Sequence, residues 1–227
     1  MTTASLAQLE EEGWDLVPAQ LSDANLDALR DSVFVADAAG ARCLLDHPLV
    51  AETARILLRQ LAAKFLVLAD AVAIQAIAFD KTAATNWKVA WHQDLMFPFA
   101  RRVTAPGYDL PTVKDGIDHA RPPCEVLENL LAVRLHLDHC GECNGPLRVS
   151  PGSHRAGVLR GADILSRVAA CGQITCVARR GEALLMKPLT LHASSQATEP
   201  GHRRVLHFVC YCGPVTAEPW HRAIGIN

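Results

Sequence analysis

No charge of either sign dominates this chain. Its 22 lysines and arginines stand against 24 aspartates and glutamates, a formal net charge of -2, which gives no reason to expect nucleic acid or an acidic membrane surface as a partner. No long hydrophobic run is present. The most apolar stretch, Phe65 to Phe79, is interrupted by Asp70 and Gln75 and is too short to span a bilayer. No leader is visible in Met1-Thr2-Thr3-Ala4-Ser5, which offers neither a basic region nor an apolar one after it, so a cytoplasmic protein is expected. Zinc-site spacing is missing too. Cys140-x-x-Cys143 is half of such a site, but neither Cys210-x-Cys212 nor the pair Cys171 and Cys176 supplies a good second half. With Cys43 and Cys124, these cysteines are read as reduced and mostly structural.

What is present is an ordinary globular composition, 50% hydrophobic and 20% charged over 227 residues, the size of one domain with a substantial core. Residues 5 to 70 read as helical. Ser22 or Asp23 suits an N-cap before Leu26, Leu29 and Val33, and Pro48 suits the first turn of a helix burying Val50, Ala54, Leu57, Leu58 and Leu61. His47, alone at that helix start, is read as structural. From about Ala71 the period turns toward two, and residues 71 to 215 read as strands and turns.

Trp91-His92-Gln93-Asp94 carries the chemistry. His-x-Asp puts an imidazole and a carboxylate on one face of a strand. If Asn86 to Asp94 is that strand, Asn86, Lys88 and Ala90 share the face, and Asn86 and Lys88 line the floor of the same cavity. A third ligand from a distant strand completes two histidines and one carboxylate, leaving the opposite face of an octahedral metal open, as in non-haem iron oxygenases. His192 and His154 both suit by residue type. The turn Glu199-Pro200-Gly201 favours His192, because it brings Arg203 back beside that strand. A fixed cation beside open metal positions is what a dicarboxylate co-substrate needs, one end chelating and the other pairing with guanidinium. Leu130 to Asp138 alternates: Leu131, Val133, Leu135 and Leu137 form an apolar face, while Ala132, Arg134, His136 and Asp138 face a polar interior, which makes Arg134 and His136 further candidates. Residues 95 to 126 read as a long irregular segment punctuated by Pro and Gly, the character of a lid. It carries Phe97, Phe99, Arg101, Arg102, Tyr108, Lys114, His119 and Arg121, aromatics and cations that suit an anionic organic substrate bearing a carboxylate or phosphate. Phe97, Phe99, Arg101 and Arg102 are its leading candidates for touching that substrate.

These motifs together are similar to the phytanoyl-CoA dioxygenase family. The likeness is carried by Trp91-His92-Gln93-Asp94, by Asn144-Gly145-Pro146-Leu147 through Pro151-Gly152-Ser153-His154, and by His192-Ala193-Ser194 with Arg203 beyond it. It runs from about Phe79 to Tyr211. The resemblance implies a mainly β protein with flanking helices: a double-stranded β-helix (jelly roll, cupin-like) under an N-terminal helical layer. It implies Fe(II) held by His92, Asp94 and His192, with 2-oxoglutarate and O2 as co-substrates and Arg203 and Ser194 on the far carboxylate of 2-oxoglutarate. Asn86, Lys88 and Arg134 are carried as further cofactor-side candidates. Arg134 stands where the namesake enzyme has an aromatic, so an acyl-CoA substrate is not implied. Halogenating relatives have a small residue where Asp94 stands, so hydroxylation of a small molecule is the expectation. Two other classes fit the same ligands: a non-catalytic metal-containing jelly-roll binding protein, and a zinc-dependent hydrolase, which needs an added general base.

Overall fold

A computed structural model describes residues 4–19, 21–34, 38–65 and 68–227. Met1, Thr2 and Thr3, the start of the segment without a leader signal, lie outside the described residues, as do Leu66 and Val67 of the most apolar stretch. Three helices lead the chain: α1 (Ala4–Glu12), α2 (Asp23–Val33) and α3 (Pro48–Lys64). The Ser22 hydroxyl accepts from the Asn25 amide and caps α2, and Pro48 opens α3, where its missing N–H costs nothing. The buried faces are the periodic ones, Leu26, Leu29 and Val33 on α2, and Val50, Ala54, Leu57, Leu58 and Leu61 on α3.

The helical reading of residues 5 to 70 is corrected at two strands, the short Gly40–Ala41 and a longer one between α1 and α2. Trp14–Pro18 is a strand, β1, paired antiparallel with β11 (Glu182–Met186) from Trp14 opposite Met186 to Pro18 opposite Glu182. Gly13, at φ +79, turns the chain out of α1 into it. Five residues are too few for their alternation to stand out between helices.

Thirteen strands among the described residues form three sheets. The largest runs β1-β11-β8-β13-β3-β2, with β2 (Gly40–Ala41), β3 (Val72–Asp80), β8 (Leu130–His136) and β13 (Arg204–Tyr211). Its outer face carries Ala76, Ala78, Leu131, Val133, Leu135, Leu137, Leu206 and Phe208 against α2 and α3 in the main core. Truncating a fully buried leucine there, such as Leu135 or Leu58, costs about 2–5 kcal/mol. The second sheet, β10-β9-β12-β4, joins β4 (Val89–His92), β9 (Leu147–Val149), β10 (Ile174–Cys176) and β12 (His192–Ser194). Between the inner face of the large sheet and this smaller one lies a cavity of about 490 Å³, sized for small ligands.

Residues 95 to 126, expected to be irregular, are a third sheet and a short helix. β5 (Phe97–Phe99), β7 (Ile117–Arg121) and β6 (Asp109–Lys114) pair in that order, followed by α4 (Cys124–Leu127). The hairpin between β6 and β7 turns on Asp115 and Gly116, at φ +50 and +77, the conformation for which Asp-Gly is favoured. Pro98, inside β5, and Pro111, inside β6, mask the strand pattern. After β9, α5 (Ala162–Cys171) returns the chain to β10.

Candidate active site

Two short strands of the second sheet set the centre. In the β4–β12 ladder His92 lies opposite His192 and Val89 opposite Ser194, so three steps on β4 match two on β12. That β-bulge inverts parity along β4. Trp87, Val89 and His92 therefore line the cavity, whereas Lys88 and Ala90 are exposed. The expectation that Lys88 and Asn86 share the face of His92 is corrected on this ground. Asn86 instead clips the chain after β12: its Nδ2 donates to the Ala197 carbonyl at 2.9 Å and its Oδ1 accepts from the Ala197 amide at 2.7 Å.

His92, Asp94 and His192 come together. His92 Nε2 lies 3.8 Å from Asp94 Oδ1, and His192 Nε2 lies 3.6 Å from Asp94 Oδ2. These separations are too long for hydrogen bonds, and all the donor atoms of the group lie within 4.8 Å of one another. Separations of 3.6 and 3.8 Å let each histidine share one ion with Asp94 at bonds of roughly 2.0–2.2 Å. Both rings are oriented the same way: His92 Nδ1 donates to the Ala90 carbonyl and His192 Nδ1 to the Thr190 carbonyl, each at 2.9 Å. With the proton on Nδ1, each Nε2 keeps its lone pair for a metal. Burial pushes the His192 imidazole down to about 4, which keeps it neutral. Burial also pushes the Asp94 carboxyl up, but His192, His207 and His92 outweigh it and hold the group below its ordinary range. The donor set fits a divalent iron ion.

Gln93 anchors the connection between the two ligands. Its Nε2 donates to the Gly157 and Leu189 carbonyls at 2.8 and 2.7 Å, and its Oε1 accepts from the Leu159 amide at 2.8 Å. Asp94 is pinned through its own amide to the Pro188 carbonyl.

Deeper in the cavity stand Arg203, Ser194, Arg134 and His207, all buried. Arg203 faces the Cys140 thiol, and its Nε has no partner among the described residues. Burial lowers its pKa. A buried guanidinium that pairs with no carboxylate among the described residues, in one cavity with Ser194, fits one carboxylate of a dicarboxylic acid. Arg134 lies over the Phe79 ring at 5.5 Å and donates to His207 Nδ1 at 3.2 Å. Burial and then Arg203 push Arg134 down to about 10, still charged at neutral pH. Because arginine only donates, His207 must accept at Nδ1 and carry its proton on Nε2, which points at Asp94 Oδ2 from 3.9 Å. His207 is a residue that sequence reasoning passed over. Its signal was the alternation Arg203, Val205, His207, Val209, whose first, third and fourth members line the cavity.

Other candidates fall elsewhere. His154 bonds the Glu10 carbonyl through Nε2 at 3.1 Å, against α1, and takes no part in the triad. His136 is buried and bonds the Glu182 carbonyl. Cys140 is buried while Cys143 is exposed, and among the described residues no other His, Cys, Asp or Glu cluster is close enough to hold an ion. Phe99 is a core residue stacked on Trp220 at 4.9 Å, whereas Phe97, buried in the same cluster, also lines the cavity. Arg101 is exposed and pairs with Glu218, and Arg102 is exposed, so neither arginine lines the cavity. The same segment instead contributes Leu95, Met96, Phe97, Leu110, Lys114 and His119 to the wall. Lys81, fully buried, donates to the Ser195 carbonyl at 2.7 Å and holds the end of β12 beside Trp87.

This mainly β fold and the chemistry of its cavity define an iron- and 2-oxoglutarate-dependent oxygenase of the jelly-roll type. The chain belongs to the phytanoyl-CoA dioxygenase family, whose model matches residues 2–205. No curated protein matches the sequence. Among solved structures, EctD from S. alaskensis with 2-oxoglutarate and 5-hydroxyectoine superposes with a TM-score of 0.68 at 16% identity, over 93% of this chain and 76% of that one. AviO1 from Streptomyces viridochromogenes Tue57 gives 0.64 at 18% identity, over 95% and 97%. HygX from Streptomyces hygroscopicus with nickel and 2-oxoglutarate gives 0.63 at 16%, over 93% and 87%. At such identities the likeness is one of fold. No helix among the described residues is long and apolar enough to cross a membrane.

Proposed function

We propose that residues 1–227 form one oxygenase domain that hydroxylates a small organic molecule, converting 2-oxoglutarate and O2 to succinate and CO2. His92, Asp94 and His192 would hold Fe(II), and Arg203 with Ser194 would bind the far carboxylate of 2-oxoglutarate. One observation carries this reading: the buried Arg203 guanidinium, with no carboxylate partner among the described residues, opens into the same cavity as the triad. A zinc hydrolase on these ligands has no use for that cation, and a mere binding module has no need of both. The free thiols support a reducing, cytoplasmic setting.

Iron, when bound, supplies the activation of O2 for attack on a C–H bond. The chain's part is orientation and exclusion of water. The Nδ1 bonds of His92 and His192 keep both rings in the ligating tautomer. Arg134 fixes the tautomer of His207, whose Nε2–H lies 3.9 Å from Asp94 Oδ2 and would favour the carboxylate electrostatically. Arg203 and Ser194 fix the length and direction of the co-substrate, and Phe79, Val89, Leu147 and Val209 keep that end apolar. Asp94 is a carboxylate rather than a small residue, which supports hydroxylation. Titration of 2-oxoglutarate into wild type and Arg203→Ala under anaerobic Fe(II) tests the proposal: unchanged affinity in the variant would overturn the co-substrate assignment.

A further inference from the structure

The charged groups lining the cavity are unbalanced. Asp94 is its sole carboxylate among the described residues, against Arg42, Lys114, Arg134 and Arg203. If the proposed function holds, Asp94 is taken by the metal and Arg203 by the co-substrate, while Arg134 is committed to His207 and Phe79. Lys114, Arg42 and His119 then have no task. All three belong to one corner of the cavity. Thr112 lies opposite His119 and Lys114 opposite Ile117 across the β6–β7 ladder, and directly opposed residues share a face. Leu110 joins them on the wall.

Their bonding is incomplete. The half-buried Lys114 ammonium has no hydrogen bond or ion pair among the described residues. Arg42 makes only an exposed contact with Asp115 at 3.7 Å, a pair of little strength. His119 is 2% exposed, its Nδ1 donates to the Ile117 carbonyl at 3.0 Å, and its Nε2 is buried without a partner. An imidazole that donates through Nδ1 presents a lone pair at Nε2. A buried acceptor left bare costs about 1–3 kcal/mol until something donates to it. The corner thus offers a cation and an acceptor side by side, which are complementary to an anion that also carries an O–H or N–H.

We propose that this corner is the substrate site and that the substrate is a small hydroxy- or amino-carboxylate, its carboxylate on Lys114 with support from Arg42 and its O–H or N–H on His119 Nε2. This rests on the oxygenase reading above. It moves specificity from Arg101 and Arg102 to residues of the β6–β7 hairpin that line the cavity.

The test uses the full chain with nickel and saturating 2-oxoglutarate, so that the inner positions are filled and nothing turns over. Calorimetric titrations compare 3-hydroxybutyrate and 4-hydroxybutyrate with their methyl esters and with butyrate. The proposal predicts saturable binding of a hydroxy acid, weaker by roughly tenfold or more for its ester and severalfold for butyrate. Lys114→Met removes the preference for acid over ester. His119→Phe removes the preference for hydroxy acid over butyrate, and His119→Gln, which keeps an acceptor, retains part of it. Equal binding of acid and ester, an unchanged preference in Lys114→Met, or no saturable binding by either hydroxy acid overturns it. So does a loss of 2-oxoglutarate affinity in Lys114→Met, which would assign that lysine to the co-substrate. Failure of wild type to bind nickel and 2-oxoglutarate would instead sink the oxygenase reading, and titration of the metal-free chain then still judges the corner by itself.

Discussion

The two ends of the cavity are built on opposite plans. The inner end gathers side chains from β4, β8, β12 and β13, spread from Val89 to Tyr211, and most of its polar groups have protein partners: Nδ1 of both ligand histidines on backbone carbonyls, Arg134 on His207 and Gln93 on three backbone groups, with the Nε atoms of Arg134 and Arg203 bare among the described residues. The outer end is the β6–β7 hairpin with Arg42 beside it, and Lys114 and His119 have polar atoms without partners among the described residues. A preorganised inner end lowers the reorganisation needed to bind ligands common to every turnover. A bare outer end leaves binding energy for the proposed substrate. Substitutions should therefore separate the ends, with inner ones acting on metal and co-substrate and outer ones on substrate alone.

The largest effect is expected from the triad. His92→Ala, Asp94→Ala or His192→Ala should abolish turnover and weaken Fe(II) binding by more than the roughly 100-fold that marks the upper range for outer-shell partners, while circular dichroism stays native. Tight iron binding by His192→Ala would break the comparison at its root. Next comes Arg203→Ala, expected to weaken 2-oxoglutarate by roughly 30-fold or more, since truncating one partner of a buried charged pair costs about 2–5 kcal/mol. His207→Phe should cost about 10- to 100-fold in iron affinity or turnover, and Arg134→Met should mimic it by freeing the tautomer of His207. A metal titration on each variant reads this directly. An effect on substrate affinity alone would move both residues to the outer end.

How much of this was legible beforehand follows the same division. His-x-Asp, the distant His192 and the arginine beyond it are short, rigidly spaced features, and the alternation of Leu131 to Leu137 against Arg134 placed that arginine inside. The bulge in β4 was not legible: one extra residue inverts the face on which Asn86 and Lys88 were placed, and nothing in Val89-Ala90-Trp91 announces it. The third sheet was hidden because Pro98 and Pro111 interrupt its strands and Leu110 adopts φ +52. Its one clear signal was Asp115-Gly116, a hairpin turn read only as loop punctuation. Finding it would have ranked Lys114 and His119, named only among the segment's aromatics and cations, above Arg101 and Arg102.

Smaller effects sharpen the picture away from the ligands. Burial holds His136 down to about 3, against about 6.5 in an unfolded chain, so between those values the unfolded state binds more protons. The stability it contributes is complete above about 6.5 and is lost as pH falls toward 3. Urea midpoints of the metal-free protein should decline over that window, and less steeply in His136→Gln. Smallest of all, Arg101→Ala should shift stability by less than about 1 kcal/mol, as an exposed partner of Glu218, and leave substrate KM unchanged. A raised KM there would return specificity to the exposed arginines.

The account rests above all on iron and 2-oxoglutarate meeting at the inner end. Anaerobic titration of 2-oxoglutarate into the Fe(II)-loaded chain, followed by metal-to-ligand charge-transfer absorption, tests that directly. A saturable band is predicted for wild type and Lys114→Met alike, at much higher 2-oxoglutarate for Arg203→Ala, and absent for His192→Ala. No band in wild type, or the same midpoint in Arg203→Ala as in wild type, would contradict it.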